Sequence, residues 1–174
     1  MISTFDVATP NEEQGKSPLD IKLERLVFKK DETSFSYLDM HLMRLDEEIE
    51  RFHTIANTFF EDTGKTVFYD LATRTLKVRK GDTVLSLTQL SAGEKQLLII
   101  LLEILLIRDD AALVLMDEPE LSLHIRWQRK LIPQLIQLKP KAQFIIATHA
   151  PSVFGDGYMD KLCKMQDFFE PPLF

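Results

Sequence analysis

The stretch LVLMDEPE, residues 113–120, decides how this sequence is interpreted. Four apolar residues followed by two adjacent carboxylates predict a buried parallel strand that presents acids at its carboxyl end. Open α/β sheets bind ligands at that edge. Asp117 and Glu118 would point to opposite sides of an extended strand, so they would have different roles. One acid could hold Mg²⁺ through water, and the other could polarise an attacking water. A strand that ends in a polar turn at Pro119 explains the stretch equally well.

A second motif, LSAGEKQ at residues 90–96, predicts the start of a helix. Ser91 as N-cap and Glu94 three residues later form a capping box before the apolar run at residues 97–107. Capping boxes are common, and alone this one indicates only a helix. A helix N-terminus with a serine hydroxyl and a glycine that permits close backbone approach is also suited to phosphate binding.

A third motif, IIATH at residues 145–149, ends another apolar strand with Thr148 and His149. A single histidine is more often structural than catalytic. Two strand ends that carry acids and a histidine, downstream of a helix start suited to anions, favour a nucleotide triphosphate site.

Together, in this order, the three motifs resemble those of ABC-type ATPases. Residues 90–96 resemble the signature motif, residues 113–120 the Walker B strand with its catalytic glutamate, and Thr148-His149 the switch histidine. The form DEPELSLH at residues 117–124 is closer to the SMC, RecF and overcoming-lysogenization-defect (OLD) branch than to membrane transporters. The resemblance covers roughly residues 38–165 and is specific over residues 90–154.

The resemblance implies ATP and Mg²⁺ as cofactors and assigns each motif a role. Ser91 and Gly93 would touch the γ-phosphate of an ATP held by a second protomer, with Glu94 and Gln96 in the same nucleotide-binding motif. The metal residue would be Asp117. The catalytic residues would be Glu118, which activates water, and His149, which senses the γ-phosphate. ATP would drive dimerisation coupled to DNA or to a DNA-bound partner protein, in DNA repair or defence, with no membrane partner.

The sequence departs from that family because it contains no GxxxxGK[ST] loop. Gly15-Lys16-Ser17 and Gly64-Lys65-Thr66 end like one, but Pro10 and Phe59 occupy the leading glycine positions. The second triplet, beside Asp62-Thr63, indicates a hairpin turn instead. We therefore expect the C-terminal portion of an ATPase, whose partner is a second protomer or a missing N-terminal P-loop lobe.

The fold class expected is α/β, the C-terminal lobe of a P-loop NTPase similar to ABC ATPases. It would have a mainly parallel sheet flanked by helices, a small antiparallel meander and one long amphipathic helix. Residues 1–36 would form an N-terminal arm and an uncertain segment, in which residues 18–30 fit a strand or a helix. Residues 37–174 would form the lobe, with the helix at 37–60, the meander at 65–87 and the motif core at 90–165.

Three further patterns predict local structure. Apolar residues four and three apart predict the helix at 37–60, packed on a sheet or forming a coiled-coil root: Leu38, Leu42, Leu45, Ile49, Phe52, Ala56 and Phe59. Residues 125–138 predict a helix, kinked or broken at Pro133, whose apolar face carries Trp127, Leu131, Leu135 and Leu138. Residues 162–165 predict a last strand in which Cys163 packs.

Length, charge and cysteine content indicate the general class to which the protein belongs. The chain has 174 residues, enough for one domain. A net charge of −6 argues against a dominant nucleic-acid surface. The single cysteine excludes an internal disulfide and suits a reducing compartment. Residues 1–17 do not resemble a signal peptide, and the apolar run at 97–107 is too short to cross a bilayer, so we expect a cytoplasmic protein.

Two functions other than ATP hydrolysis stay open. Without a phosphate-binding loop, the chain could be a nucleotide-free assembly or regulatory partner. A metal-dependent hydrolase could use Asp117, Glu118, His124 and His149, but the sequence has no HxxxH motif, no second carboxylate pair and no cysteine ligand pattern.

Overall fold

The computed structural model describes residues 15–28, 46–70, 72–73, 75–155 and 157–164. The helices are α1 (Pro18–Phe28), α2 (Asp46–Phe60), α3 (Ala92–Leu105), α4 (Ile125–Leu138) and α5 (Pro151–Phe154). The strands are β1 (Thr66–Asp70), β2 (Thr75–Lys80), β3 (Thr83–Leu85), β4 (Leu113–Asp117) and β5 (Gln143–Ala147). Short 3₁₀ turns occur at Glu61–Thr63, Leu87–Gln89 and Met159–Lys161.

The strands form two separate sheets. β1, β2 and β3 make the expected antiparallel meander, with Thr66 opposite Arg79 and Lys80 opposite Thr83. β4 and β5 pair in parallel, joined through α4, so that Asp117 lies opposite Ala147. In the described residues the parallel sheet has two strands, and the three antiparallel strands are the separate meander that the sequence predicted, so a larger, mainly parallel sheet flanked by helices stays a prediction. Each parallel pair needs its own crossover segment, and α4 is the crossover these residues contain.

Helix α3 is the centre of the core. Its residues from Leu97 to Leu102 are all buried, because α1, α2 and α4 surround it. The four apolar residues predicted for α4 are buried on one face: Trp127, Leu131, Leu135 and Leu138. Trp127 stacks on Phe60 of α2 with ring centroids 5.9 Å apart. The helices therefore pack on the side of the parallel sheet that Val114 and Met116 face.

Residues 18–28 form a helix, which settles the choice that the sequence left open. The alternation of Leu19, Ile21 and Leu23 suggested a strand, but Asp20, Leu23 and Val27 form the buried face at helical spacing. Ser17 and Asp20 cap the helix, because the Ser17 N–H donates to Asp20 Oδ2 at 2.9 Å and the Asp20 N–H donates to Ser17 Oγ at 3.2 Å.

Helix α2 buries Phe52, Ile55, Ala56, Phe59 and Phe60. It packs on helices α3 and α4 as well as on strand β1, whereas the sequence predicted packing on a sheet or a coiled-coil root. The earlier part of the predicted helix, residues 37–45, lies outside the described residues.

Of the two outcomes predicted at Pro133, a kink or a break, the break does not occur, since α4 runs without interruption to Leu138 and Pro133 lies on its exposed side. The prediction of a last strand is wrong for the described residues. Residues 162–164 form no strand, and Cys163 is exposed rather than packed. Alternating apolar residues predict a strand only where a neighbouring strand or core covers them.

No helix in the described part of the chain is both long and apolar enough to cross a membrane.

Candidate functional site

The site forms where β4 and β5 end side by side. The Glu118 N–H donates to the Ala147 carbonyl at 2.8 Å, which extends the pairing of the strands by one step. Glu118 then adopts a left-handed backbone conformation with φ of 42°. Non-glycine residues rarely adopt this conformation, and it occurs preferentially at functional sites. It turns the chain out of the strand immediately after Asp117.

Glu118 and His149 meet at this edge. His149 Nδ1 lies 2.7 Å from Glu118 Oε1, within hydrogen-bonding distance. The His149 side chain is 91% exposed and that of Glu118 33%, so both can reach a ligand above the strand ends. The two predicted catalytic residues are therefore in direct contact. A carboxylate that accepts from a histidine can orient or deprotonate a water, and when the ring is protonated on both nitrogens its Nε2–H can donate to an anion.

Asp117 is exposed at the end of β4, next to this pair. The described residues contain no cluster of three or more His, Cys, Asp or Glu side chains that could hold a metal ion by themselves. Such a cluster is not needed for Mg²⁺ at a nucleotide site, because Mg²⁺ takes one or two carboxylates and completes its shell with water and phosphate oxygens. A single exposed carboxylate fits this mode of binding.

The signature-like motif begins α3 as a complete capping box. The Ser91 N–H donates to Glu94 Oε2 at 2.8 Å, and the Glu94 N–H donates to Ser91 Oγ at 3.3 Å. The Lys65 ammonium also lies within 2.8 Å of both Glu94 oxygens. Burial alone would raise the pKa of Glu94, but the hydrogen bonds from Lys65 and Ser91 hold it below the ordinary value. Glu94 is thus an ionised structural residue.

The four residues predicted to bind the nucleotide differ in how exposed their side chains are. Glu94 is 2% exposed and Gln96 is 6% exposed, so little of either side chain faces a ligand in this structure, and their nucleotide-binding role stays a prediction. Between them, Lys95 forms a buried ion pair with Asp20, at 2.6 Å. Ser91 is exposed at the helix N-terminus. Ser91 therefore stays a candidate nucleotide contact.

Gly93 is held against the loop that follows β4. A Cβ atom at Gly93 would lie 2.5 Å from the Ser122 carbonyl oxygen, closer than packed atoms allow. The sequence suggested that this glycine permits close approach of a phosphate. The observed approach is that of a backbone carbonyl, and it joins the signature-like motif to the Walker B-like loop.

The structure gives both GK[ST] triplets structural roles. Lys65 is bound by Glu94, and Lys16 lies 2.6 Å from Glu24. Gly64, with φ of 66°, ends the 3₁₀ turn after α2 and leads into β1, so this turn joins a helix to a strand and is not the predicted hairpin. Neither triplet forms a phosphate-binding loop in this structure.

His124 belongs to the start of α4. Its Nδ1 accepts the Arg126 N–H at 3.3 Å, which makes His124 the N-cap of that helix. The cap occupies one ring nitrogen and weakens the hypothesis of a metal site that includes His124.

Sequence reasoning missed Glu120 as a functional candidate. Glu120 is only 5% exposed, and its Oε1 accepts a short hydrogen bond from the Thr148 hydroxyl. A buried acid two residues after Glu118 does not stand out in a sequence, because the pattern DEPE does not show which acids face the interior.

Known proteins are similar to parts of this chain. The model of a family described as "AAA domain, putative AbiEii toxin, Type IV TA system" matches residues 4–155. The "Retron Ec83 probable ATPase" of Escherichia coli is 38% identical over 89 residues, covering 45% of this chain and 16% of that protein. The "Septu protein PtuA" of Bacillus thuringiensis is 44% identical over 59 residues, covering 34% of this chain and 15% of that protein.

A third relative, the "Retron Vc95 probable ATPase" of Vibrio cholerae serotype O1 biovar El Tor, is 34% identical over 89 residues, covering 45% of this chain and 17% of that protein. The matched part of the chain thus spans about a sixth of the length of these relatives. Among solved structures, the SmcHead bound to the C-winged helix domain of ScpA matches with a TM-score of 0.45 and 15% identity, over 60% of this chain and 36% of that one.

Proposed function

From the premise that this chain belongs to the AAA-domain family whose model matches residues 4–155, we propose that it supplies the hydrolytic side of an ATPase site. Glu118 orients and deprotonates the water that attacks the γ-phosphate. His149, protonated on both ring nitrogens, donates from Nδ1 to Glu118 and from Nε2 to that phosphate, and Asp117 would hold Mg²⁺ through water. The exposed N-terminus of α3, with Ser91, faces the γ-phosphate of an ATP held by a second protomer. ATP bound to Mg²⁺ provides the phosphoanhydride bond that is cleaved.

The contact between Glu118 and His149 is the observation that carries this proposal. Phosphoryl transfer needs precise positioning and electrostatic stabilisation rather than covalent chemistry from the protein. A general base contributes only when it lies within hydrogen-bonding reach of the water, and the 2.7 Å contact fixes the orientation of the Glu118 carboxylate. His149 is aligned by the same contact.

In this proposal the phosphate-binding lysine comes from outside the described residues, on a P-loop lobe or a second protomer. The exposed face of the parallel sheet supports an apolar partner at this position. Leu113, the first residue of β4, is 57% exposed, and Leu115 and Ile145, in the middle of their strands, are 37% and 52% exposed. Parallel strands normally have both faces covered, so this face is suited to further secondary structure.

We further propose that ATP-driven dimerisation is coupled to DNA or to a partner protein, in DNA repair or defence, and that the protein is cytoplasmic. The family description, which names a type IV toxin–antitoxin system, supports a defence role. The net charge of −6 favours a protein partner over a broad DNA surface on this chain.

A second candidate function is a nucleotide-free assembly partner. The observation that favours it is the engagement of both candidate phosphate-binding lysines, Lys16 and Lys65, in ion pairs with Glu24 and Glu94. In that case the exposed sheet face would bind the ATPase that the chain regulates.

The test uses the tagged chain purified from its own cells together with its associated chains. We expect Mg²⁺-dependent ATP hydrolysis that Asp117→Asn abolishes and that Asp82→Asn, a change of an exposed turn carboxylate, leaves intact. A complex without ATPase activity would contradict the proposal. Hydrolysis that Asp117→Asn does not change would contradict it as well, and would favour the assembly partner.

A further inference from the structure

The loop after β4 and the segment after β5 are joined by more than the Glu118–His149 contact. Thr148, immediately before His149, donates its hydroxyl proton to Glu120 Oε1. The same hydroxyl accepts the Ala150 N–H at 3.0 Å. A threonine hydroxyl has one proton to donate, so a donor and an acceptor on these two sides fix its orientation. The backbone on either side of His149 is therefore held by Glu120.

From this arrangement we infer that Glu120 is the positioning residue that, through Thr148, holds His149 against Glu118. The inference rests on the proposed function in one respect: His149 must face the γ-phosphate for this positioning to affect hydrolysis. Glu120 itself does not contact the nucleotide, because it is buried.

Burial makes Glu120 effective in this role. It is 5% exposed, and its loop is packed on α3 where the Ser122 carbonyl meets Gly93. Gln128 of α4 holds the loop from the other side, donating to the Leu123 carbonyl at 3.0 Å. The fixed Glu120 carboxylate can therefore restrain the segment that carries His149. The His149 side chain is 91% exposed, so packing does little to hold it.

The carboxylate of Glu120 is held through one oxygen. Oε1 accepts from the Thr148 hydroxyl, whereas Oε2 is buried and receives no hydrogen bond from the described residues. The contact with Thr148 is therefore the side-chain contact through which Glu120 can act on the segment that carries His149.

The test compares variants that keep and remove the hydroxyl. Thr148→Ser keeps both hydrogen bonds, whereas Thr148→Val has a similar shape without them. Thr58→Val serves as a control, because the Thr58 hydroxyl donates to the Thr54 carbonyl of α2, away from the site. The first readout is the ¹⁵N spectrum of the histidine rings of the 174-residue chain at constant pH, with His149→Gln to assign the signal.

We expect the wild type, Thr148→Ser and Thr58→Val to show a His149 Nδ1 that carries a hydrogen-bonded proton. Thr148→Val should lose this signature, as Glu118→Gln does. In the purified complex, Thr148→Val should lower kcat for ATP by up to about 10²-fold at unchanged KM, and Thr148→Ser should restore it.

A wild-type His149 spectrum in Thr148→Val would overturn the inference, whatever the turnover. The inference would also fall if Thr148→Ser lost the signature as completely as Thr148→Val. If the spectra behave as expected while Glu118→Gln leaves hydrolysis unchanged, the proposed function fails and the positioning of His149 by Glu120 stands.

Discussion

The Ser122 carbonyl oxygen lies where a side chain at Gly93 would begin. A Cβ atom at Gly93 would be only 2.5 Å from this oxygen. This contact joins the N-terminus of α3 to the loop that carries Glu118 and Glu120. Ser122 itself has a left-handed backbone conformation, with φ of 69°, so its carbonyl cannot rotate away without changing the loop. The signature-like and Walker B-like motifs are thus one packed unit.

Gly93→Ala should therefore destabilise the chain and displace the loop. Overpacking typically costs about 1–3 kcal/mol in the free energy of unfolding, and urea denaturation would measure it. Gly157→Ala is the matched control, since a Cβ at Gly157 meets no atom within 4 Å. Equal stability of the two alanine variants would show that the contact is not restrictive.

The ion pair between Lys65 and Glu94 should make stability depend on pH in the acid range. The pKa of Glu94 is lowered from 4.5 in the folded chain, so its ionised form stabilises the fold above that value and this stabilisation is lost as the pH falls below it. Glu94→Gln should cost about 2 kcal/mol at pH 7, and the difference from wild type should shrink toward pH 3.

Urea titrations at a series of pH values would measure this difference. Glu61→Gln, a change of an exposed carboxylate, should show little effect at any pH. A constant difference between Glu94→Gln and wild type would contradict the assignment of an ionised Glu94.

The exposed face of the parallel sheet should be required for assembly but not for folding. Leu115→Glu changes a side chain that is 37% exposed, so the free energy of unfolding should change by no more than about 0.5 kcal/mol. The same change should reduce the yield of associated chains in a tagged purification. Ile136→Glu, on α4 and 40% exposed, is the control. Loss of associated chains in both variants, or in neither, would rule out a specific interface on the sheet.

His124 should act as a helix cap and not as a metal ligand. Because its Nδ1 accepts the Arg126 N–H, His124→Ala should lower the free energy of unfolding by about 1 kcal/mol, and His124→Asp should keep the cap. Mg²⁺-dependent hydrolysis by the complex should be similar in both variants. Activity lost in both variants despite an intact fold would revive the metal-hydrolase hypothesis.

The sequence alone was sufficient to predict those helices and strands that depend on the local pattern of their own side chains. Helix α4 follows from the spacing of Trp127 and Leu131, and the start of α3 from Ser91 and Glu94, because both depend on local periodicity or capping. The meander follows from short β-like runs separated by turns such as the one at Gly81. The contact of Glu118 with His149 could be expected only in outline, from two strands that end at one edge.

Contacts between distant segments could not be predicted. The burial of Glu94 depends on Lys65 of the meander, and that of Asp20 on Lys95, and neither pairing leaves a periodic signal. The left-handed conformation of Glu118 is likewise imposed by its surroundings, since glutamate has no intrinsic preference for it. For the same reason the role of Glu120 became visible only in the structure.

The most direct test of the central claim, that Glu118 and His149 act together on the γ-phosphate, is a double-mutant cycle of kcat for ATP in the purified complex. Glu118→Gln should lower kcat by about 10²–10⁴-fold, as expected for loss of a general base. The variant that combines it with His149→Gln should be no slower than Glu118→Gln alone, because groups that act as a unit are not additive. Losses that multiply, or a Glu118→Gln variant as fast as wild type, would contradict the claim.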